Sequence, residues 1–319
     1  LSSDTLGSRS TAVGVSALTA QNFTSATDTY NTAFGFYAGV AVTTGVANTF
    51  IGGLAGDATD DGSYNAAVGY GALSANCGND NTAMGVSALA VNTAGSNTAF
   101  GRAALAANTT GQYNVAVGHL TLDANTTADS NTAVGYASLT SNTTGASNTA
   151  CGRDALAVTT TGASNTAVGH DCLDNNTTGT LNTAVGDSAL GGNVAGDQNT
   201  AVGMQALAVL NPSGNADTNN VAVGFQSGVA VSTGANNVLI GTTAGSNLTT
   251  GGTNTLVGSG IQAGAVDGEG CNGFGYALAA AAGYTTLGSG TDDIRAAHGN
   301  VTWATVSDER VKKDIEDST

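Results

Sequence analysis

The sequence predicts an all-β fold, a repetitive β-solenoid or β-roll with a 17-residue repeat, on three observations. A glycine preceded by an apolar residue recurs from Gly14 to Gly275, most often at a spacing of 17 residues. The chain has 47 glycines, one proline, 9% charged and 5% aromatic residues, so small apolar side chains must build a thin core. Seventeen residues are too few for a helical-hairpin repeat, and Thr, Val, Asn and Gly disfavour helix.

The repeat consensus is N-T-A-V-G-x-x-A-L-x-x-N-T-T-G-x-x, seen nearly whole in residues 131–147. A short strand, a corner, a second short strand and a glycine turn fit this length. Two steps of 16 and two of 21 residues interrupt the period, and the long steps predict loop insertions on one side of the solenoid. We call the recurrent residues the anchor glycines: Gly14, Gly35, Gly52, Gly69, Gly85, Gly101, Gly118, Gly135, Gly152, Gly169, Gly186, Gly203, Gly224, Gly241, Gly258 and Gly275.

An asparagine lies four places before the anchor glycine in fourteen successive repeats, from Asn31 to Asn254. Stacked coils would align these amides in a ladder, where each bonds its neighbours and satisfies polar groups that a corner would otherwise bury. A second, weaker ladder is predicted through Asn108, Asn125, Asn142, Asn176 and Asn193.

Side chains must alternate between two faces of the strand N-T-A-V-G, with Thr and Val on one face and Asn, Ala and Gly on the other. Val is replaced only by other apolar residues, as in Phe34, Ile51, Met84 and Cys151, while Ala stays small in most coils. A strand restricted on both faces is predicted to be covered on both. One face packs inside its own coil, so we expect the other to meet another chain.

The position after the anchor glycine is the most variable in the repeat, which predicts that it points outward. Its residues include Phe36, Tyr70, Arg102, Tyr136, Arg153, Met204, Phe225 and Tyr276. Tyr and Arg at this position could contact a receptor or a glycan. His119 and His170 share the position but lie three coils apart, too far for both to bind one metal ion within a chain, and we expect them to be exposed.

The composition argues against several classes of function. A net charge of −16, with only Arg9, Arg102 and Arg153 as basic residues before residue 290, argues against nucleic-acid binding. No apolar run is long enough to span a bilayer. The four cysteines occupy four different repeat positions, which predicts buried small hydrophobes. No cofactor or metal is expected, and scattered acidic residues do not form the carboxylate pair of a glycosidase.

Two stretches resemble known families. The N-T-A-V-G-x-x-A-L units of residues 10 to 275 are similar to the head repeats of trimeric autotransporter adhesins, although those repeats are typically shorter. The stretch W-A-T-V-S-D-E-R-V-K-K-D-I, residues 303–315, resembles the opening of the intramolecular chaperone domain of endosialidase-type phage tail proteins, peptidase family S74. The first resemblance implies a trimeric β-roll, and the second implies a chaperone that trimerises the fibre and then cuts itself away.

The second resemblance also implies a catalytic pair for self-cleavage, Ser307 and Lys312, acting on the Ser307–Asp308 bond. A desolvated Lys amine can serve as the base that a Ser hydroxyl needs. The same residues are also typical of the solvated start of a helix, with Ser307 as its N-cap. Cleavage is not expected without the body of the chaperone domain. Otherwise no enzymatic activity is expected.

These patterns together predict a homotrimeric β-solenoid shaft of about 16 coils over residues 8–285 and a charged chaperone junction over residues 286–319. The expected function is the structural shaft of a bacteriophage tail fibre, located in the extracellular virion tail, which holds a distal module for host attachment. The expected partners are other copies of the chain, virion tail proteins and a host-surface glycan or receptor, without nucleic acid or membrane insertion. One alternative is a bacterial trimeric surface adhesin or extracellular filament. Another is an ice-binding solenoid with stacked threonines such as Thr132, Thr149 and Thr166, although the strand lacks a T-x-T pattern.

Overall fold

A computed structural model describes residues 4–299 and the strand Ala304–Thr305, for which only the backbone is described. Across these residues the secondary structure consists of short strands and turns, with no helix. The strands stack in parallel from coil to coil, which confirms the predicted all-β solenoid.

The chain divides into two compact units, Leu1–Thr178 and Gly179–Thr319, a division that the sequence did not indicate. The strands of the first unit are β1 (Gly7–Ser8), β2 (Thr11–Val13), β3 (Thr27–Asp28), β4 (Thr32–Phe34), β5 (Thr49–Ile51), β6 (Ala66–Val68), β7 (Thr82–Met84), β8 (Thr98–Phe100), β9 (Val115–Val117), β10 (Thr132–Val134), β11 (Thr149–Cys151) and β12 (Thr166–Val168). The strands of the second unit are β13 (Thr183–Val185), β14 (Gly196–Asp197), β15 (Thr200–Val202), β16 (Ala216–Asp217), β17 (Val221–Val223), β18 (Val238–Ile240), β19 (Thr255–Val257), β20 (Gln262–Ala263), β21 (Asn272–Tyr276), β22 (Ala279–Ala280), β23 (Tyr284–Ser289), β24 (Asp292–Ala297) and β25 (Ala304–Thr305).

The main sheet of each unit pairs each coil's strand with the equivalent strand of the next coil. In β10 and β11, Ala133 pairs with Ala150 and Thr132 with Thr149. In β13 and β15, Ala184 pairs with Ala201 in the same register. Equivalent repeat positions therefore lie in columns, one strand spacing of about 4.8 Å apart.

The anchor glycines form the tightest of these columns. Gly135 has a φ of +141°, and a Cβ added there would lie 2.3 Å from the carbonyl oxygen of Gly152 in the next coil. Only glycine can adopt this φ and also allow the neighbouring backbone so close. The column explains why this residue sets the period of the sequence.

The core of each coil is built from small strand residues and one leucine. The middle strand residue, such as Ala133, is fully buried, as is the leucine four places after the anchor glycine, such as Leu139. In the first unit these leucines have φ values of +49° to +56°, a left-handed conformation that turns the chain at the corner. Burial of the leucine side chain offsets the strain of that conformation.

The first predicted asparagine ladder is present, and the second is present from Asn108 through Asn125 to Asn142. In the first ladder, the Asn148 backbone N–H donates to Asn131 Oδ1 at 2.9 Å, and Asn131 Nδ2 donates to the Gly145 carbonyl at 3.0 Å. Each side chain thus satisfies backbone groups in the next coil, rather than bonding mainly to other amides as the sequence argument assumed. The second ladder does bond amide to amide, since Asn125 Nδ2 donates to Asn108 Oδ1 at 2.7 Å.

The long repeat steps place extra residues in side loops, as predicted. In the first unit the long coil adds a small parallel pairing of β1 with β3, and in the second unit β14 pairs with β16. Parallel stacking extends through β23, and β24 then pairs with it antiparallel. The predicted domain boundary after residue 285 remains a prediction, and it falls inside β23.

Candidate functional site

The strand face with the middle Ala points into the coil, so the face with Thr and Val points outward. The residue just before each anchor glycine therefore lies at the surface, although it is almost always apolar. Phe34 is 58% exposed, Phe100 52% and Val134 38%. We call these residues the outer apolar column: Val13, Phe34, Ile51, Val68, Met84, Phe100, Val117, Val134, Cys151 and Val168 in the first unit, and Val185, Val202, Val223, Ile240, Val257 and Phe274 in the second.

The outer apolar column is continuous within each unit because every coil contributes one side chain to it. Its members lie one strand spacing apart, about 4.8 Å, so adjacent side chains leave no polar gap along the column. Soluble monomers rarely expose apolar patches larger than a few hundred Å², and larger patches mark interaction sites. The arrangement is suited to contact with another apolar surface.

One of the four cysteine predictions is wrong. Cys77, Cys172 and Cys271 are buried, but Cys151 is exposed. Cys151 is the last residue of β11 and belongs to the outer apolar column, so strand alternation points its thiol outward. Burial raises the pKa of the Cys77 and Cys271 thiols, which disfavours their reactive thiolate form.

The residue after each anchor glycine also points outward, as predicted. We call these residues the outer variable column, which in the first unit comprises Val15, Phe36, Gly53, Tyr70, Val86, Arg102, His119, Tyr136, Arg153 and His170. Most of its large side chains are more than half exposed, as with Tyr70 at 61% and Tyr136 at 53%. The anchor glycines separate this column from the outer apolar column along each coil.

Three contacts between adjacent coils join members of the outer variable column. Arg102 Nη1 lies 2.9 Å from His119 Nε2, and the His119 ring lies 5.6 Å from the Tyr136 ring between centroids. Arg153 donates to His170 Nε2 in the same way. Because a guanidinium can only donate hydrogen bonds, Nε2 of each histidine is the acceptor in these contacts. The histidines are partly exposed rather than fully exposed.

Two carboxylates adjoin the last two rungs of this column. Arg153 Nε lies 3.4 Å from Asp154 Oδ2, and His170 Nδ1 lies 3.3 Å from Asp171 Oδ2. A proton on His170 Nδ1 would donate to the Asp171 carboxylate. Sequence reasoning missed these contacts, but the signal was present: Arg102 precedes His119, and Arg153 precedes His170, by one 17-residue repeat.

Two aspartates, Asp57 and Asp174, have raised pKa values, but they do not form a site. Burial raises the pKa of Asp57, whose Oδ1 has no hydrogen-bond partner, and burial together with the nearby Asp171 charge raises the pKa of Asp174. Among residues 4–299, no group of three or more His, Cys, Asp or Glu side chains could hold a metal ion. A cavity of about 460 Å³ in the second unit is lined by one carboxylate, Asp293, beside Arg295. This lining does not supply the carboxylate pair that glycoside hydrolysis needs.

The predicted self-cleavage residues, Ser307 and Lys312, lie outside the described residues. Cleavage of the Ser307–Asp308 bond therefore stays a prediction. In the part of the chain that is described, no helix has the length and apolar character to cross a membrane.

Comparisons of this chain with protein-family models, with curated proteins and with solved structures find no match.

Proposed function

We propose that this chain is the structural shaft of a bacteriophage tail fibre, which assembles as a homotrimer in the virion tail and holds a distal module for host attachment. The outer apolar column is the observation that carries the proposal. A surface of this kind on a repetitive scaffold fits a contact between identical chains that extends along the repeat.

The outer apolar column favours self-assembly for a geometric reason. Its side chains repeat at the strand spacing, so a second copy of the same column presents the same period and can match it rung for rung. An unrelated globular partner would not have this period. The number three comes from the two family resemblances, both of which involve trimeric assemblies.

The hydrogen bonding within each unit supports a mechanical role. Each coil is joined to the next by strand pairing, by the first asparagine ladder and, in many coils, by the second ladder. Bending a unit would stretch several of these bonds at every coil. This bonding supports stiffness, the property that a shaft needs.

The column also bears on the ice-binding alternative. Thr132 and Thr149 are exposed, but Val134 and Cys151 occupy the next outward positions of the same strands. The exposed face therefore alternates Thr with apolar residues and lacks paired threonine rows. This composition favours burial against another chain.

Charge substitutions in the outer apolar column test the self-assembly part of the proposal. The doubly substituted chain Val134→Asp/Val168→Asp places two carboxylates per chain in the contact, where burial of an unpaired charge is costly. We expect its assembly to be weakened at least about tenfold, as measured by sedimentation equilibrium. The matched control is Thr144→Asp/Thr161→Asp, which adds the same charge at exposed positions away from the column. Equal assembly of both variants would contradict the proposal.

Mass spectrometry of the whole gene product tests the phage-fibre part. We expect the mature shaft chain to end at Ser307, and we expect Ser307→Ala or Lys312→Ala to prevent that cut. The neighbouring Lys313→Ala is the control and should leave cleavage intact. A product that stays uncut, or one that is cut equally in the Ser307→Ala variant, would contradict the assignment.

A further inference from the structure

The few positive charges of the first unit are concentrated in one surface column. The whole chain has a net charge of −16, and residues 4–299 contain only four arginines: Arg9, Arg102, Arg153 and Arg295. Two of the four lie in the outer variable column, separated by His119 and Tyr136 and followed by His170. We call these five residues, Arg102, His119, Tyr136, Arg153 and His170, the basic-aromatic strip.

We propose that the basic-aromatic strip binds a linear polysaccharide that bears carboxylates, with the sugar chain lying along the solenoid. Five rungs at about 4.8 Å span roughly 19 Å, enough for several sugar residues of an extended chain. This binding activity goes beyond the proposed function as a shaft and does not depend on it.

The chemistry of each rung supports this ligand class. Arg102 and Arg153 are exposed, and a guanidinium offers several N–H donors in a planar fork that matches a carboxylate. Tyr136 is 53% exposed, so its ring can pack against the apolar face of a sugar. The Nε2 atoms of the histidines accept from the arginines and thereby fix the direction of both guanidinium groups.

The contacts also preorganise the strip. Arg153 is held between His170 and Asp154, and Arg102 packs against His119, which stacks in turn near Tyr136. Side chains that are already ordered lose less entropy on binding than free ones. Asp154 and Asp171 add acceptors for sugar hydroxyl groups, which a purely basic strip would lack.

A nucleic acid is the less favourable ligand for this strip. Binding through phosphates requires many clustered Lys and Arg side chains, and the strip has two arginines on a strongly acidic chain. A polymer with one carboxylate every one or two sugars needs fewer cations and offers hydroxyl groups to the remaining polar side chains.

Binding of hyaluronate oligosaccharides to the 319-residue chain tests the proposal, with dextran and a single-stranded oligonucleotide as comparison probes. We expect saturable binding of hyaluronate that weakens with salt, and little binding of the other two probes. We expect Arg102→Ser to weaken binding about tenfold, since a charge-assisted hydrogen bond contributes about that much. Tyr136→Ser should also weaken it.

Arg9→Ser is the matched control because it removes the same charge from another column of the same unit, where Arg9 pairs with Asp28 at 3.2 Å. It should change the affinity less than about twofold, and circular dichroism melting should show that all variants remain folded. Equal hyaluronate binding by wild type and Arg102→Ser/Arg153→Ser would overturn the proposal. Equal binding of dextran, or binding of the oligonucleotide alone, would overturn it as well.

Discussion

At the scale of single residues, backbone contacts between coils impose the strongest constraints. An anchor glycine must adopt a φ near +140° and also lie against the backbone of the next coil. A ladder asparagine must satisfy two backbone groups that no water can reach. Both requirements repeat in each coil, so one substitution disturbs neighbouring coils as well as its own.

Two glycine substitutions separate the effect of a positive φ from the effect of close contact with the next coil. We expect Gly135→Ala to lower the free energy of unfolding of the first unit by more than about 3 kcal/mol, because its Cβ would lie 2.3 Å from the Gly152 carbonyl oxygen. The control is Gly71→Ala, where φ is +61° but the nearest atom, Ser74 Oγ, is 3.4 Å from the added Cβ. Gly71→Ala should cost only about 1–2 kcal/mol, the strain of the left-handed conformation. Chemical denaturation followed by circular dichroism measures both, and equal losses would contradict the account of the glycine column.

Asn131→Leu tests the first asparagine ladder. The leucine would leave the buried Asn148 N–H without its partner, whereas the Gly145 carbonyl would still accept from Asn142 Nδ2. At about 1–3 kcal/mol for one unsatisfied buried group, we expect the free energy of unfolding measured by chemical denaturation to fall by about that amount. Asn22→Leu, at an exposed loop position, should change stability by less than about 0.5 kcal/mol. A small effect at Asn131 would show that the ladder does not stabilise the stack.

The two partly buried aspartates, Asp57 and Asp174, give a prediction for the dependence of stability on pH. A raised pKa in the folded state means that Asp57 and Asp174 favour folding when they are protonated. That contribution is complete below the ordinary pKa near 4 and is lost as the pH rises through the folded-state value. At pH 7, Asp57→Asn should therefore raise the free energy of unfolding by less than about 1 kcal/mol, seen as a higher thermal midpoint. The gain should vanish near pH 3. The control is Asp129→Asn, an exposed carboxylate whose removal changes the net charge equally. An equal gain in the control would attribute the effect to net charge.

At the scale of the coil, the core is filled in two ways. Either the strand residue is small and the corner residue is large, or the strand residue is large and the corner residue is small. The consensus coil has Ala in the strand and Leu at the corner. The coils with Gly39 and Gly56 at the corner share one buried strand residue, Phe50, whose ring atoms lie 2.8 Å and 2.4 Å from where those glycines would place a Cβ. In the second unit, Leu239 is related in the same way to Gly228 and Gly245.

This exchange predicts a compensated substitution. Phe50→Ala alone should cost about 3–5 kcal/mol, because it leaves a cavity beside two corner glycines. The triple variant Phe50→Ala/Gly39→Leu/Gly56→Leu restores the consensus pattern and should recover most of that loss, measured by chemical denaturation. The matched control, Ala133→Phe, inserts the same ring where Leu122 and Leu139 already fill the core, and it should destabilise. A triple variant no more stable than Phe50→Ala would contradict the exchange.

The sequence predicts the repeated elements well because each coil has the same residue types at the positions that the fold constrains. The period, the strand N-T-A-V-G, both ladders and the outward variable position all follow from recurrence. Recurrence does not show which face of the strand points inward, because Ala and Val are both apolar and either could fill a core. Cys151 was misplaced for that reason. The antiparallel strand β24 and the division at Thr178 lie outside any repeat signal.

The candidate sites were predicted less completely than the fold. The Arg–His contacts join different coils, so they require the register of the stack as well as the repeat period. The sequence marked the position as outward but did not show which rungs would touch. Ser307 and Lys312 were identified through a resemblance alone, and they lie outside the described residues.

At the scale of the whole molecule, the proposed function requires that each chain contacts identical chains along its outer apolar column. The outer apolar column is present in both units, and its exposure would be unfavourable for an isolated chain. Burying the columns of identical chains against each other removes that apolar surface from water. The net charge of −16 keeps such an assembly soluble and opposes association beyond it.

The most direct test of this claim is the solution mass of residues 1–319, measured by light scattering coupled to size exclusion. We expect a particle of three times the 30.8 kDa chain mass that is stable on dilution. A folded species with the mass of one chain would contradict it, because the outer apolar columns would then remain in contact with water.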